Sequence, residues 1–550
     1  MTGRKKFEFW SVLSALIFCV LLVFLVYPMF MLLRESVWTA EEGFTLKNFA
    51  KFFSSSYYYG TILNSFKIAL SVTVLSLLIG IPFSYFYSFY RLRGRKLLLV
   101  LSVLCCMSAP FIGAYSWILM LGRSGFITVF LKKALGVDVG SIYGFSGILL
   151  SQTTKLFPLV FIYMNGAFRN IDSSLIEASG SLGSSRAKQF WGITLRLTTP
   201  TLLAAALLVF MRSLADFGTP MVIGEGYRTF PVEIYNQFLS ENGADFGFAS
   251  AISVIAIVLT GLIFLLQKYS TKKFEFTMSA LHPVEPRKPR GLAGLGMHLF
   301  CYLVVAVSIL PQVYIVGLSF RNYKNSVRLE GYSLKNYADA MKRGLRGATV
   351  NSTVYGVAAL ALIILFAVII AYLVVRRSNT LNHAIDTISM LPYIMPGTVI
   401  GIALVVAFNS RPLALTGTMA IIVIALVIRR LPYTVRSATA TLMQIPISVE
   451  EASVSLGASK LKTFVRVTVP MMKNGIVSGA ILSWVAIITE ISSSIILYNS
   501  KTITLPVGTY SSIVRGTTGT GAVFAAVTTV LTVLSMIVYL RVSKTEDIKL

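Results

Sequence analysis

The chain contains a long series of apolar runs, each with about the 20 residues that a helix needs to cross a bilayer. Hydrophobic residues make up 55% of its 550 positions and charged residues only 13%. One soluble domain could not bury that much apolar surface. We therefore predict an all-α membrane protein of about 12 transmembrane helices. The runs lie at roughly 10–33, 62–90, 97–121, 145–166, 200–222, 247–267, 293–320, 352–375, 384–408, 416–435, 471–497 and 519–540.

Basic residues outnumber acidic ones and give a formal net charge of +27. They fall in short clusters between the apolar runs, with no basic helix or basic patch interleaved with aromatics, so the sequence predicts a lipid bilayer and not nucleic acid as the partner. Lys and Arg are more abundant in the segments that are cytoplasmic if Arg4, Lys5 and Lys6 face the cytoplasm, although the opposite loop 321–350 is also basic. The positive-inside rule thus predicts cytoplasmic termini.

The first run predicts a retained membrane anchor, because it is too long for the apolar part of a secretory signal and has no small-residue cleavage site. The four cysteines lie within predicted spans and the three histidines share no ligand spacing. We therefore expect packing cysteines and no metal site made from this chain's His and Cys.

The sequence is internally duplicated. The segment Phe44-Thr-Leu-Lys-Asn-Phe-Ala50 recurs as Tyr332-Ser-Leu-Lys-Asn-Tyr-Ala338, and several asparagine, serine and proline positions recur in the same order. Six crossings return a chain to its starting side, so the two six-helix repeats are predicted to be parallel. We predict a first half at 1–267, a polar, proline-containing cytoplasmic linker at 268–292 and a second half at 293–550. The recurring pairs include Asn64-Ser65 with Asn351-Ser352, and Pro110, Pro158 and Pro231 with Pro396, Pro432 and Pro506.

A short polar motif occurs once in each half, between the fourth and fifth runs. It reads Glu177-Ala-Ser-Gly-Ser-Leu-Gly183 in the first half and Glu451-Ala-Ser-Val-Ser-Leu-Gly457 in the second. A serine three residues before each glutamate, Ser174 and Ser448, predicts a capping box at the start of a helix. The closing glycine predicts a left-handed residue at its end. Each motif thus predicts a two-turn helix followed by a sharp bend.

One face of each predicted short helix is apolar, with a small residue at its centre. Leu175, Ala178 and Leu182 form this face in the first copy, and Val449, Ala452 and Leu456 form it in the second. A small central residue permits close approach to a groove on a partner. An ordinary capped turn is the alternative for either copy alone, but recurrence in both halves favours two docking points for a two-fold partner.

These motifs resemble the EAA loops of binding-protein-dependent ABC importer permeases of the type I fold. The loops span about 167–200 and 440–470, and the second ends in the expected Val467-Thr-Val-Pro470. The first has Arg196 where the proline is expected, which leaves the geometry of its exit open. Six spans with the motif between the fourth and fifth is the arrangement of the family in each half, so the resemblance covers nearly the whole chain.

The resemblance implies that this chain forms the transport path and that a separate subunit hydrolyses ATP. A homodimer of cytoplasmic ATPase subunits would dock on two short helices and drive alternating access, with Glu177, Ala178, Leu182 and Gly183 and their counterparts Glu451, Ala452, Leu456 and Gly457 as the coupling residues. The chain has no G-x-x-x-x-G-K-[ST] motif, so the ATP and Mg²⁺ would belong to the partner, with no cofactor and no enzymatic step here. An extracytoplasmic substrate-binding protein would deliver the cargo across a bacterial cytoplasmic membrane, and loop 223–246 is a candidate contact for it.

Two acids lie inside the predicted fifth spans, Asp216 and Glu490. Intramembrane acids are costly and usually face protein or a water-filled cavity. They are candidates for a translocation path or gate, or else structural acids that pair with a base such as Arg212. Arg429 and Arg430 are most simply topology anchors.

The segment Ala215-Asp-Phe-Gly-Thr-Pro220 resembles the iron(III) branch of the family, so ferric iron is the favoured cargo. Thiamine, aminoethylphosphonate, sulfate and polyamine remain alternatives. A 12-helix secondary transporter of the major facilitator type is the alternative from another class, with Arg91-Leu-Arg-Gly-Arg-Lys96 as a faint match to its basic loop.

Overall fold

The computed structural model describes residues 9–39, 43–136, 140–239, 245–273, 282, 284–324 and 327–543. Arg4, Lys5 and Lys6, on which the predicted orientation partly depends, lie outside these residues, as do 274–281 and Pro283 of the predicted linker. The described chain is almost entirely helical, as predicted. Two antiparallel strand pairs each follow the first long helix of a half: Trp38–Thr39 with Gly43–Phe44, and Arg321–Lys324 with Val327–Tyr332.

Eight helices in the described ranges are long and apolar enough to cross a membrane, and the number rises to 11 if each sharply bent helix pair is one span. The all-α membrane fold is thus confirmed, whereas the predicted number of 12 stays a prediction. The eight are Phe9–Val37, Ser56–Phe89, Pro110–Leu135, Phe145–Arg169, Phe246–Gln267, Gly291–Ser319, Leu345–Arg376 and Thr518–Val538; the bent pairs are Arg186–Leu197 with Thr199–Leu214, Thr380–Tyr393 with Gly397–Phe408, and Lys460–Met471 with Lys473–Ile488.

Shorter helices connect these spans. A further long helix, Met419–Met443, carries three arginines and corresponds to the predicted tenth span. The others are Lys47–Ser54, Arg95–Met107, Ser173–Ser181, Gly218–Ile223, Phe230–Phe238, Lys335–Lys342, Ile447–Ser455, Ser494–Leu497 and Leu505–Val514.

The third and fifth predicted spans of each half are interrupted in the structure. The third run of each half divides at its proline, because the residue before a proline disfavours the helical conformation. Helix Arg95–Met107 ends before Pro110 begins the next helix, and in the second half the two parts are bent by 113° next to Pro396. The fifth spans were predicted to reach residues 222 and 497, but their helices end at Leu214 and Ile488.

The duplicated Asn-Ser pairs have the same structural role in both halves. The hydroxyl of Ser65 accepts a hydrogen bond from the N–H of Phe230 at 3.0 Å, and that of Ser352 accepts one from the N–H of Leu505 at 2.7 Å. The asparagine before each serine donates to a carbonyl just before the same helix. Both serines therefore tie the second span of a half to the start of the helix that precedes the sixth.

The described residues form two compact units. One contains those within 9–54, 234–257 and 319–543, which include the first span of the first half, and the other contains those within 55–233 and 258–318, which include the first span of the second half. The second of these has a core around Ile68, Val72, Trp117 and Phe168, and the first has one around Leu345, Leu505 and Phe524. The sequence boundaries at 267 and 292 describe the duplication and stay a prediction.

Candidate functional site

Each recurring motif forms a nine-residue helix, as predicted. We call Ser173–Ser181 the first loop helix and Ile447–Ser455 the second loop helix. Both end at a leucine in a non-helical conformation, followed by a glycine with positive φ, +79° at Gly183 and +88° at Gly457. Two regions that are distant in sequence therefore share one local conformation.

The predicted capping boxes are wrong. Asp172 caps the first loop helix, and its carboxylate accepts a hydrogen bond from the N–H of Ser174 at 3.0 Å. The second loop helix begins after Pro446, which has an extended conformation and no capping side chain. Ser174 and Ser448 are the second residues of their helices, because each helix begins earlier than the box requires.

The two helices end in the same hydrogen-bonded turn. The N–H groups of Gly183 and Ser184 donate to the carbonyls of Gly180 and Ser179, and the second copy repeats both bonds from Gly457 and its successor Ala458. These are the two bonds of the Schellman motif, in which a left-handed residue closes a helix. The predicted role of the glycines is confirmed, because both are left-handed.

Alanine at Gly457 is expected to loosen this turn without disturbing the fold. An added Cβ would meet no atom within 4 Å, so the cost is the left-handed conformation alone, about 1–2 kcal/mol. Hydrogen exchange at the amides of Gly457 and Ala458 should accelerate about 5- to 30-fold at that cost. Gly166, a helical glycine with equal space, is the control, and exchange near it should not accelerate in Gly166→Ala.

The tips of both loop helices are open to solvent. Leu182 is 87% exposed and Leu456 is 89% exposed, whereas apolar side chains of that size are usually buried in a folded chain. The glutamate and the central alanine of each motif are also exposed: Glu177, Ala178, Glu451 and Ala452. Each loop helix thus carries an exposed acid and ends in an exposed leucine.

Arg196 does not alter the exit of the first loop. After each loop helix a serine, Ser185 or Ser459, caps the next helix, which passes through a π-helical turn and then bends. The bend is 71° in the first half and 68° in the second. Proline at 470 is therefore not required for the bend, because arginine at 196 accompanies the same geometry.

The acids Asp216 and Glu490 lie two residues beyond the ends of their helices and not inside them as predicted. Asp216 Oδ1 accepts from the N–H of Gly218 at 3.1 Å, and Glu490 Oε1 accepts from the N–H of Ser493 at 3.1 Å. Each carboxylate therefore accepts one amide at the start of the short helix that follows: Gly218 is the first residue of Gly218–Ile223, and Ser493 immediately precedes Ser494–Leu497. The duplication correctly predicted that the two acids occupy corresponding positions, but the apolar runs did not show that each helix ends before its acid.

The surroundings of the two acids differ. The Glu490 side chain is 2% exposed and forms ion pairs with the guanidinium groups of Arg429 and Arg430. These arginines lie within helix Met419–Met443, so their predicted role as cytoplasmic topology anchors is wrong. The cluster carries one net positive charge, which burial would make costly without the carboxylate between the two cations.

Asp216 has a neutral partner. The Nε2 group of Gln152 donates to Asp216 Oδ2 at 3.0 Å, and the hydroxyl of Ser213 donates to the amide oxygen of Gln152. Gln152 is 1% exposed, whereas Asp216 is half-buried. The first half thus holds its acid by a hydrogen-bonded chain and leaves part of the carboxylate accessible.

Glu450, which precedes the motif glutamate Glu451, was not predicted from the sequence as a functional residue. It is buried and its carboxylate accepts from Arg376 Nε at 2.9 Å. The one available signal was the doubled Glu450-Glu451, where the first copy has Ile176-Glu177.

Acids of the candidate loop 223–246 are paired within their own compact units. Glu225 pairs with Arg123 at 2.8 Å, and Asp245 pairs with Lys51 at 3.1 Å. Glu241 lies outside the described residues. Among the residues that the structure describes, no three His, Cys, Asp or Glu side chains form a group that could hold a metal ion.

Known proteins match this chain in both halves. The family model described as "binding-protein-dependent transport system inner membrane component" matches residues 73–276 and again 351–545. The chain therefore belongs to the family of inner-membrane components of binding-protein-dependent transport systems. Members of this family work with an ATPase and a substrate-binding protein, and the major facilitator alternative is wrong.

Individual relatives cover most of the chain. A ferric transport system permease protein FbpB from Actinobacillus pleuropneumoniae is 30% identical over 89% of this chain and 72% of its own length. A putative ferric transport system permease protein FbpB 1 from Haemophilus influenzae is 29% identical over 89% of this chain and 78% of its own. A solved bacterial ABC transporter for alginate import has a TM-score of 0.38 and 18% identity, with 48% of this chain and 96% of that chain covered.

Proposed function

We propose that this chain is the membrane-spanning permease of an ATP-driven importer for ferric iron. Family membership supports the importer, and the two relatives named for ferric transport support the cargo. The observation that carries the coupling is the pair of loop helices, because two similar exposed surfaces suit a partner with two-fold symmetry. A homodimer of ATPase subunits is such a partner.

In this proposal the loop helices transmit motion and this chain performs no chemistry. ATP hydrolysis takes place in the separate ATPase, both loop helices and both termini face the cytoplasm, and the binding protein delivers cargo from the other side. Glu177 and Glu451 are exposed on the two loop helices, about one turn and a half before Leu182 and Leu456, and can bind basic groups of the ATPase.

For the path through the membrane, we assign different roles to the two acids. Asp216 is half-buried and has a neutral partner, so its charge is available to a cationic or hydrated cargo. Glu490 is enclosed by two arginines and fixes the helix break in the second half. The two acids therefore have different roles in this proposal, with Asp216 as the residue on the path.

The coupling assignment is tested by Glu177→Ala combined with Glu451→Ala. Loss of one charge-assisted contact on each side is expected to lower import by about tenfold or more, with normal membrane insertion. Import and ATPase binding at the level of the unchanged protein would contradict the assignment.

The cargo is tested separately by ATPase stimulation in lipid nanodiscs with the cognate ATPase and binding protein. Ferric iron should stimulate hydrolysis, whereas thiamine, aminoethylphosphonate, sulfate and polyamines should not. Stimulation by one of these instead of iron would overturn the cargo and leave the coupling mechanism intact.

A further inference from the structure

The second loop helix is held by a buried ion pair. Glu450 accepts from Arg376 Nε at 2.9 Å, and the two side chains are 12% and 9% exposed. The hydroxyl of Tyr372 also donates to Glu450, at 3.4 Å. A charge-assisted hydrogen bond with so little solvent is among the stronger contacts that a side chain makes.

Arg376 joins the second loop helix to two long helices. It is the last residue of Leu345–Arg376, and its Nη2 group donates to the carbonyls of Ile445 at 2.6 Å and Leu442 at 3.3 Å, where helix Met419–Met443 ends. One guanidinium thus satisfies carbonyls that the helix end leaves free and fixes the loop helix beside them.

The aromatic support beneath this ion pair occurs in both halves. The rings of Tyr372 and Phe464 are 4.6 Å apart, and those at the corresponding positions, Tyr85 and Phe190, are 4.9 Å apart. The shared pair places the start of each π-helical turn against the second span of its half. It does not distinguish the two loop helices.

The ion pair itself has no counterpart in the first half. Phe89 stands at the position corresponding to Arg376, and Ile176 at the position corresponding to Glu450. Both are partly buried against one apolar cluster. The first loop helix is therefore packed by apolar contact where the second is held by charge.

The linker provides the first loop helix with a different attachment. The N–H of Ser173 donates to the carbonyl of His282 at 2.8 Å, and the N–H of His282 donates to Asp172 Oδ2 at 3.2 Å. Further along, Arg287 exchanges backbone hydrogen bonds with Phe89 and Arg91, at 2.9 and 2.8 Å. The described linker residues therefore lie against the start of the first loop helix and the end of the second span.

We propose that the two loop helices are anchored by different devices: Arg376–Glu450 for the second, and linker residue His282 bound to Asp172 and Ser173 for the first. Each anchor then transmits force only for its own half, so its loss frees one loop helix and leaves the other in place. The consequence for transport rests on the proposed function, whereas the anchoring itself does not.

Removal of one partner of the ion pair is expected to release the second loop helix, whereas replacement of both partners by apolar residues is expected to keep it in place. Removal of one partner leaves a buried charge without its counter-ion, whereas an apolar pair of suitable size is tolerated where an ion pair stood. The first half shows which apolar residues to use, because Phe89 and Ile176 stand at the corresponding positions. The double variant Arg376→Phe with Glu450→Ile should therefore keep the second loop helix in place, although each single variant releases it.

The direct test is spin-label mobility in the permease alone, in lipid nanodiscs without ATPase or nucleotide. Labels are placed on cysteines at position 182 or 456, in a background without the four native cysteines. Arg376→Phe and Glu450→Ile should each raise the mobile fraction at 456 about tenfold and leave 182 unchanged, since a broken buried pair permits local opening. The double variant should restore the spectrum at 456.

The same measurement is made on a variant in which the first loop helix loses its attachment. Asp172→Ala removes the cap and the acceptor for the His282 N–H, so the label at 182 should become mobile and the label at 456 should not. A change at both positions in any variant, or at neither position in one of the three single variants, would overturn separate anchoring.

Transport is measured on the same variants with the cognate ATPase and binding protein. The single variants should import about tenfold less per ATP hydrolysed than the double variant, since detachment of one loop helix uncouples hydrolysis from movement. If the spin labels show the expected mobility but import per ATP hydrolysed is the same in all variants, the proposed function is contradicted and the anchors are not. Unchanged mobility would contradict the anchors whatever the transport result.

Discussion

Aspartate in place of both Leu182 and Leu456 is expected to abolish import. These leucines are the most exposed apolar groups of the loop helices, and the proposed ATPase docking would bury them in a groove. A carboxylate placed there without a partner costs at least about 1–3 kcal/mol. Two such sites weaken binding by roughly a hundredfold or more, because every 1.4 kcal/mol is a factor of ten.

The measurement is the dissociation constant between the permease in nanodiscs and the ATPase. Leu292→Asp is the matched control, because Leu292 is 88% exposed and lies outside both loop helices. Binding should be unchanged in the control. Equal affinity of the double variant and the control for the ATPase would show that the tips are not docking surfaces.

A second large effect is expected at Glu490, where alanine should prevent stable folding. It leaves Arg429 and Arg430 without their shared carboxylate in a buried site, and removal of one partner from a buried ion pair costs about 3–5 kcal/mol. That is a large share of the stability of a typical domain. The yield of monodisperse protein and its thermal midpoint in detergent should both fall sharply.

The corresponding change in the first half, Asp216→Asn, is the matched comparison. Its carboxylate is half-buried, accepts from Gln152 and Gly218, and an amide keeps an oxygen for one of these bonds. The expected loss is about 1 kcal/mol, the net value of one hydrogen bond. Similar losses of stability in Glu490→Ala and Asp216→Asn would contradict the different roles proposed for the two acids.

The sequence predicted those features that depend on neighbouring residues. The loop helices follow from their apolar spacing and closing glycines, because a left-handed residue is chemically restricted to few side chains. The duplication also predicted that Asp216 and Glu490 correspond. Both inferences need only residues that are close in sequence, or two copies compared with each other.

The rest depends on contacts between distant residues. The partners of Glu490 lie about 60 positions away on another helix, and nothing in their own surroundings shows which acid they meet. Helix breaks at Leu214 and Ile488 were missed because an apolar run records hydropathy but not a change of direction. The sequence did not predict Glu450 as an anchor because its partner Arg376 lies 74 positions away, and only that contact distinguishes Glu450 from the neighbouring Glu451.

Uptake of ferric iron into sealed vesicles tests the central claim most directly. The vesicles contain the permease with its ATPase and receive iron-loaded binding protein outside and ATP inside. We expect uptake about tenfold or more above that of vesicles without ATP, and no uptake driven by a proton gradient alone. Iron uptake that persists without ATP, or ATP-dependent uptake that is unchanged in the Leu182 and Leu456 double variant, would contradict the account.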